Sequence, residues 1–171
     1  MSELYLIANG PMPTTVSFPS VQVPGNSTAK TMLQVKLGTQ TKGKIVEWGI
    51  SFDGSSAAQP VKVELLETGT VFGTVTASAA ADIMKIGDPN GVDPTTSNFI
   101  VGTSATGYTC TSEGSITATR IFDLQLVAPT NQYVKQFPLG REPVINVSTS
   151  ARIRVNSATT INAYCYMIIE I

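Results

Sequence analysis

Apolar and polar residues alternate with period two along most of this chain. Over 31–37, Leu33, Val35 and Leu37 alternate with Met32, Gln34 and Lys36. Over 44–52, Val46, Trp48, Ile50 and Phe52 oppose Ile45, Glu47, Gly49 and Ser51, which places Trp48 in the core. Over 61–67, Val61, Val63 and Leu65 share one face, with Lys62 and Glu64 on the other. Such alternation predicts half-buried antiparallel strands. Further strands are predicted at 99–103, 107–113 and 118–127, where Phe122, Leu124 and Leu126 oppose Ile121, Asp123 and Gln125. Residues 133–143 read as part strand and part loop, and 144–148, 151–156 and 161–171 as a closing meander. Turn signals such as Asp53-Gly54 recur every ~8–12 residues, giving about eight to ten strands. The fold class is therefore all-β: a single-domain antiparallel β-sandwich, jelly-roll-like. Only 74–87, with its alanine run, offers a short helix.

The segment 161–171, INAYCYMIIEI, is apolar on both faces. Met167 and Ile169 are expected to face the core. Tyr164, Tyr166 and Ile168 then need a second cover, from this chain or from a neighbouring subunit. Residues 1–30 carry Pro11, Pro13, Pro19 and Pro24, which exclude a helix and remove ladder donors. They read as an extended N-terminal arm attached to a sandwich domain at 31–171, with LYLIA and VSFPSVQV able to pair as edge strands. The residues this assigns to an interface are Leu4, Tyr5, Leu6, Ile7, Phe18, Tyr164, Tyr166 and Ile168.

Composition narrows the chemistry. Charged residues make up 13% of the chain, about half the usual share, and the net charge is −1. The eleven basic residues are scattered rather than striped, which argues against nucleic acid. A polar but sparsely charged surface suits packing against copies or a partner. The chain has no histidine, so Ser-His-Asp and Cys-His arrangements cannot be built. Glu47 and Glu64 form the one candidate carboxylate pair; contact with Lys44 or Lys62 on a solvated face is the plainer reading. Cys110 and Cys165 read as buried free thiols. Asp88, Asn90 and Asp93 resemble a calcium loop in composition, but Gly91 falls at position four rather than six and no Glu stands at twelve. No metal or cofactor is called for. Tyr108, Tyr133, Tyr164 and Tyr166 are candidates for a sugar platform. The start of the chain, with Glu3 and only five apolar residues in a row, does not read as an export signal. No apolar run approaches the ~20 residues of a membrane helix. The sequons at Asn26 and Asn146 are read as coincidental.

The segments LYLIANGPMPTTV, KTMLQV, VEWGISFDGSSAAQPVKVELL and YVKQFPLGREPVI, with the ending INAYCYMIIEI, resemble the capsid decoration (cement) and minor head proteins of tailed bacteriophages. The resemblance spans most of the chain. It implies a non-enzymatic sandwich, made in the host cytoplasm and carried on the virion. It also implies self-association, with a trimer favoured, and the major capsid protein as partner. It brings no catalytic residues. The alternative reading is a carbohydrate-binding or host-recognition module of a phage tail or fibre.

Overall fold

The period-two segments become strands of two antiparallel sheets in a computed structural model. The structure describes residues 2–12, 17, 20–94, 97–116 and 120–171. The strands are β1 (Leu4–Ala8), β2 (Val21–Val23), β3 (Lys30–Lys36), β4 (Gly43–Phe52) and β5 (Val61–Gly69). They continue with β6 (Thr74–Ala77), β7 (Ile83–Lys85), β8 (Gly107–Ser112), β9 (Arg120–Val127) and β10 (Gln132–Gln136). The last are β11 (Val144–Ile145), β12 (Ser150–Asn156) and β13 (Ile161–Glu170). Sheet A runs β10-β4-β13-β1-β7, with β11 also on β4 and β2 also on β13. Sheet B runs β6-β8-β3-β12-β5-β9. The chain crosses between sheets at β2–β3, β3–β4, β4–β5, β6–β7, β7–β8, β9–β10, β11–β12 and β12–β13, so the layers are wound together rather than built one after the other.

The core lies between the layers. Sheet B contributes Leu33, Val35, Val63, Leu65, Ile153 and Val155; sheet A contributes Ile7, Trp48, Ile50, Cys165, Met167 and Ile169. Trp48 is fully buried, as its phase predicts. Val46 is not its inward neighbour. The ladder with β13 shifts register between Ile168 and Ile169, and beyond the shift Ile45 rather than Val46 faces the core. The expected helix at 74–87 is replaced by β6, one 3-10 turn at Ala80–Asp82 and β7. Its β-branched start pairs with β8, and the sheet overrides the helix preference of the alanines. Residues 99–103 make only isolated bridges, Leu37 with Phe99 and Val101 with Thr106.

Strand β13 is central, not terminal. Its odd residues are buried and its even residues half-buried. β4 takes one edge over eight residue pairs. The other edge is filled by the segment expected to form an arm, so Leu4–Ala8 and Val21–Val23 belong to the sheet. β1 pairs with Tyr166–Glu170, and β2 pairs with Ile161–Ala163. Asn9 bridges the gap between them. Its backbone N–H donates to the Cys165 carbonyl at 3.0 Å and its Nδ2 to the Ala163 carbonyl at 2.9 Å. Its Oδ1 accepts from the Cys165 N–H at 3.0 Å. One fully buried amide thus stands in for a missing stretch of strand. Asn9→Ala leaves a buried donor and a buried acceptor without partners and is expected to cost about 2–4 kcal/mol. Thermal unfolding should fall by several degrees; an unchanged midpoint would show that the bridge is dispensable.

Candidate interaction surfaces

The register of sheet A sets the composition of its outer face. Leu6 stands opposite Ile168 on one side and Met84 on the other. Tyr166 stands opposite Ala8 and Gly49, and Gly49 opposite Val134. The result is an apolar band across five strands, from Val134 to Met84. Leu4, Leu6, Tyr164, Tyr166 and Ile168 are half-buried in it, while Met84, Ile86 and Val134 are 41%, 41% and 50% exposed. A Cβ at Gly49 would meet the Tyr166 ring at 2.6 Å, so a larger residue there would displace the ring. The ring therefore packs against the bare backbone of β4, and its hydroxyl donates to Glu47 Oε1 at 2.6 Å. Burial and the Glu47 carboxylate push the Tyr166 hydroxyl pKa up. The Tyr164 ring stands beside it, with centroids 6.0 Å apart.

Five of the eight interface residues read from the sequence, Leu4, Leu6, Tyr164, Tyr166 and Ile168, share this outer face. Tyr5 and Ile7 do not. Alternation turns them inward, where they are 1% and 0% exposed. Tyr5 packs edge-on against Phe99 and donates its hydroxyl to the Val92 carbonyl at 2.7 Å. They are core residues rather than interface residues. Phe18 lies outside the described residues.

A second apolar surface sits on β9, where the polarity of the strand is reversed. Asp123 points inward and is 7% exposed, while Ile121, Leu124 and Leu126 point outward at 58%, 55% and 68%. A register shift against β5 at Phe122 lets Phe122 also pack on the core. Leu124 and Leu126 form one side of a shallow groove of about 680 Å³ across the outside of sheet B. Lys62, Glu64, Arg154 and Asn156 line the rest, with Arg154 Nε 3.1 Å from Glu64 Oε1.

The inward Asp123 explains the reversal. Its Oδ2 accepts from Trp48 Nε1 at 3.2 Å and from the Tyr133 hydroxyl at 2.9 Å. Its Oδ1 lies 3.2 Å from Lys135 Nζ. Trp48 belongs to β4 and the other two to β10, so one carboxylate from sheet B ties down three side chains of sheet A. Burial by itself would raise the Asp123 pKa. Hydrogen bonds from Gln125, Tyr133 and Lys135, with the Lys135 charge, outweigh it and hold the group below the usual aspartate value. Burial, with the hydrogen bond to Asp123, pushes Tyr133 up to about 12.

The other candidates separate. Glu47 and Glu64 sit on different sheets: Glu47 accepts from Tyr166 and Glu64 faces Arg154. β4 and β5 are joined by a crossover between the sheets, so Glu47 and Glu64 do not pair. Cys110 and Cys165 are free, buried and on different sheets, and burial raises both pKa values. Arg152 was not singled out in the sequence, yet it is fully buried on the outer side of sheet B. It donates to the Val71 carbonyl at 2.7 Å and the Glu113 carbonyl at 3.1 Å under the 70–73 and 113–116 turns. Among the described residues no group of three or more His, Cys, Asp or Glu side chains converges. No helix of the described residues is long and apolar enough to cross a membrane. No protein-family model matches the chain, and no curated protein or solved structure gives a significant match.

In the calcium-like loop a side chain already supplies the positive charge. Lys85 Nζ lies 2.7 Å from Asp93 Oδ1 and donates to the Gly91 carbonyl at 3.0 Å. Asp88 Oδ1 instead accepts the Asn90 N–H at 2.9 Å, an Asx turn. Millimolar calcium is therefore expected to leave the thermal midpoint unchanged. A rise of several degrees would mean that calcium displaces the ammonium.

Proposed function

We propose that this protein is a non-enzymatic structural component of a tailed-phage virion, which binds and stabilises the outside of the capsid as an oligomer. The observation that carries the reading is the pair of outward apolar surfaces on opposite layers: the sheet A band and the β9 rim. A free monomer gains nothing by turning Ile121, Leu124 and Leu126 into water, at ~25 cal/mol per Å² of apolar surface. A cement subunit needs two such surfaces, one for its neighbour and one for the shell. The reading assigns the sheet A band, with its tyrosines, to the neighbouring copy, as a trimer by the resemblance. It assigns the β9 rim to the major capsid protein. The quoted segments that resemble decoration proteins support the same conclusion.

A second reading is favoured by one observation. Tyr166, seated on Gly49 and pinned by Glu47, and Tyr164 beside it make a fixed aromatic platform. Ser51 and Gln132 continue the same cross-strand row as Tyr164. Neutral sugars stack on such platforms, so a glycan-binding module is the alternative.

Co-sedimentation with capsids lacking this protein tests the first reading. The wild type should pellet with the shells, and Leu124→Glu with Leu126→Glu should reduce binding at least about tenfold. Ile168→Glu should instead lower the mass seen by light scattering. A monomer that ignores capsids but lights up specific sugars on a glycan array would replace this reading with the second.

A further inference from the structure

Strand β9 is held in its reversed orientation by charge. At its centre Asp123 reaches across to sheet A. At its start Arg120 pairs with Glu67 of β5, whose other oxygen accepts the Thr149 hydroxyl at 2.8 Å. Both carboxylates are buried, at 7% and 3% exposed. The groups facing Asp123 are Trp48 from β4, Tyr133 and Lys135 from β10, and Gln125 from β9 itself. Leu65 stands opposite it on β5. Lys135 is the one cation bonded to it among the described residues, so protonation removes the attraction that spans the gap between the layers. The Leu124 N–H also donates to Asp123 Oδ1, at 3.0 Å, so the same carboxylate covers a backbone donor of β9.

We propose that Asp123 is an acid-released latch: ionised, it clamps β9 to sheet A and keeps Ile121, Leu124 and Leu126 turned outward; protonated, it frees that rim and weakens docking. The docking half rests on the functional reading above, whereas the latch half does not. Asp123 acts as a positioning residue, since it touches no partner itself. The pH window follows from the sign of the shift. The folded-state pKa is depressed, so the stabilisation is complete above the ordinary aspartate value of ~3.9 and is lost as pH falls through the lower folded value. Glu67 behaves alike: burial opposes ionisation, but hydrogen bonds from Arg120 and Thr149 outweigh it and lower the pKa. Acid therefore loosens β9 at two points, and Trp48, the single tryptophan, stands at one of them.

The test is an acid titration of Trp48 fluorescence beside far-UV circular dichroism. In the wild type the fluorescence is expected to change below about pH 4, before the strand signal is lost. Asp123→Asn should abolish that early step. It should also speed exchange of the β9 amides at pH 7 at least about tenfold. Lys135→Met keeps the carboxylate and should move the step up by about one pH unit, which decides the matter if Asp123→Asn does not fold. Glu67→Gln should leave the Trp48 step in place. A wild-type step that coincides with global unfolding, or one unmoved by Asp123→Asn or Lys135→Met, overturns the latch. Capsid co-sedimentation at pH 7 separates the two halves. Asp123→Asn should bind at least about tenfold more weakly, and undiminished binding overturns the docking half. If the wild type does not bind capsids at all, the functional reading fails, and the Trp48 titration still judges the latch.

Discussion

Everything in sheet A depends on both edges of β13 being paired. An unpaired backbone group in the interior of a sheet costs about as much as a lost hydrogen bond, and a central strand presents a row of them. β4 satisfies one row along its length, across one register shift. The other row is met piecemeal by β1, the Asn9 side chain and β2. The buried faces of β1 and β13 then supply Tyr5, Ile7, Cys165, Met167 and Ile169 to the core against sheet B. The pairing of these two strands also creates the outer band, because Leu6 and Ile168 become neighbours only through that register.

The opposite edge of the sandwich follows a different rule. There β9 and β10 are the last strands of their sheets among the described residues. Exposed edges invite further pairing, and an inward-pointing charge on an edge strand is one protection against it. Asp123 and Lys135 are such charges, and each neutralises the other. Placing the polar residues of β9 inside forces its aliphatic residues outside. A single geometric choice thus closes the edge and creates the β9 rim.

The class of fold was legible in the sequence because alternation survives wherever one face is buried. Trp48 and the inward set of β13 could be read directly from phase. Three things could not. Register shifts reset the phase, which hid the inward turn of Ile45. Prolines at 11, 13, 19 and 24 suggested an arm, while nothing local revealed that Leu4–Ala8 finds its partner at the far end of the chain. The orientation of β9 was open because both of its faces carry aliphatic residues, and the partners that fix it, Trp48 far away in sequence and Tyr133 and Lys135 on the next strand, meet Asp123 only in the fold. Asp123 did leave a trace: a lone carboxylate amid aliphatic residues is costly to bury unless partners await it. Of the residues read as an interface, Leu4, Leu6, Tyr164, Tyr166 and Ile168 lie on the outer face of sheet A, while Tyr5 and Ile7 are turned into the core, and the outward rim of β9 was not read at all.

The pairing of β1 with β13 joins Leu4 to Glu170, and backbone hydrogen bonds tie Glu3 to Ile171 in both directions, at 2.8 and 2.9 Å. During synthesis β1 emerges long before its partner. At roughly 5–20 residues per second, its apolar LYLIA segment waits on the order of ten seconds for β13 to appear. Sheet A is consequently completed only after β13 has left the ribosome. Until then β1 can pair only with β7, and closure of the sheet depends on long-range pairing rather than on local folding.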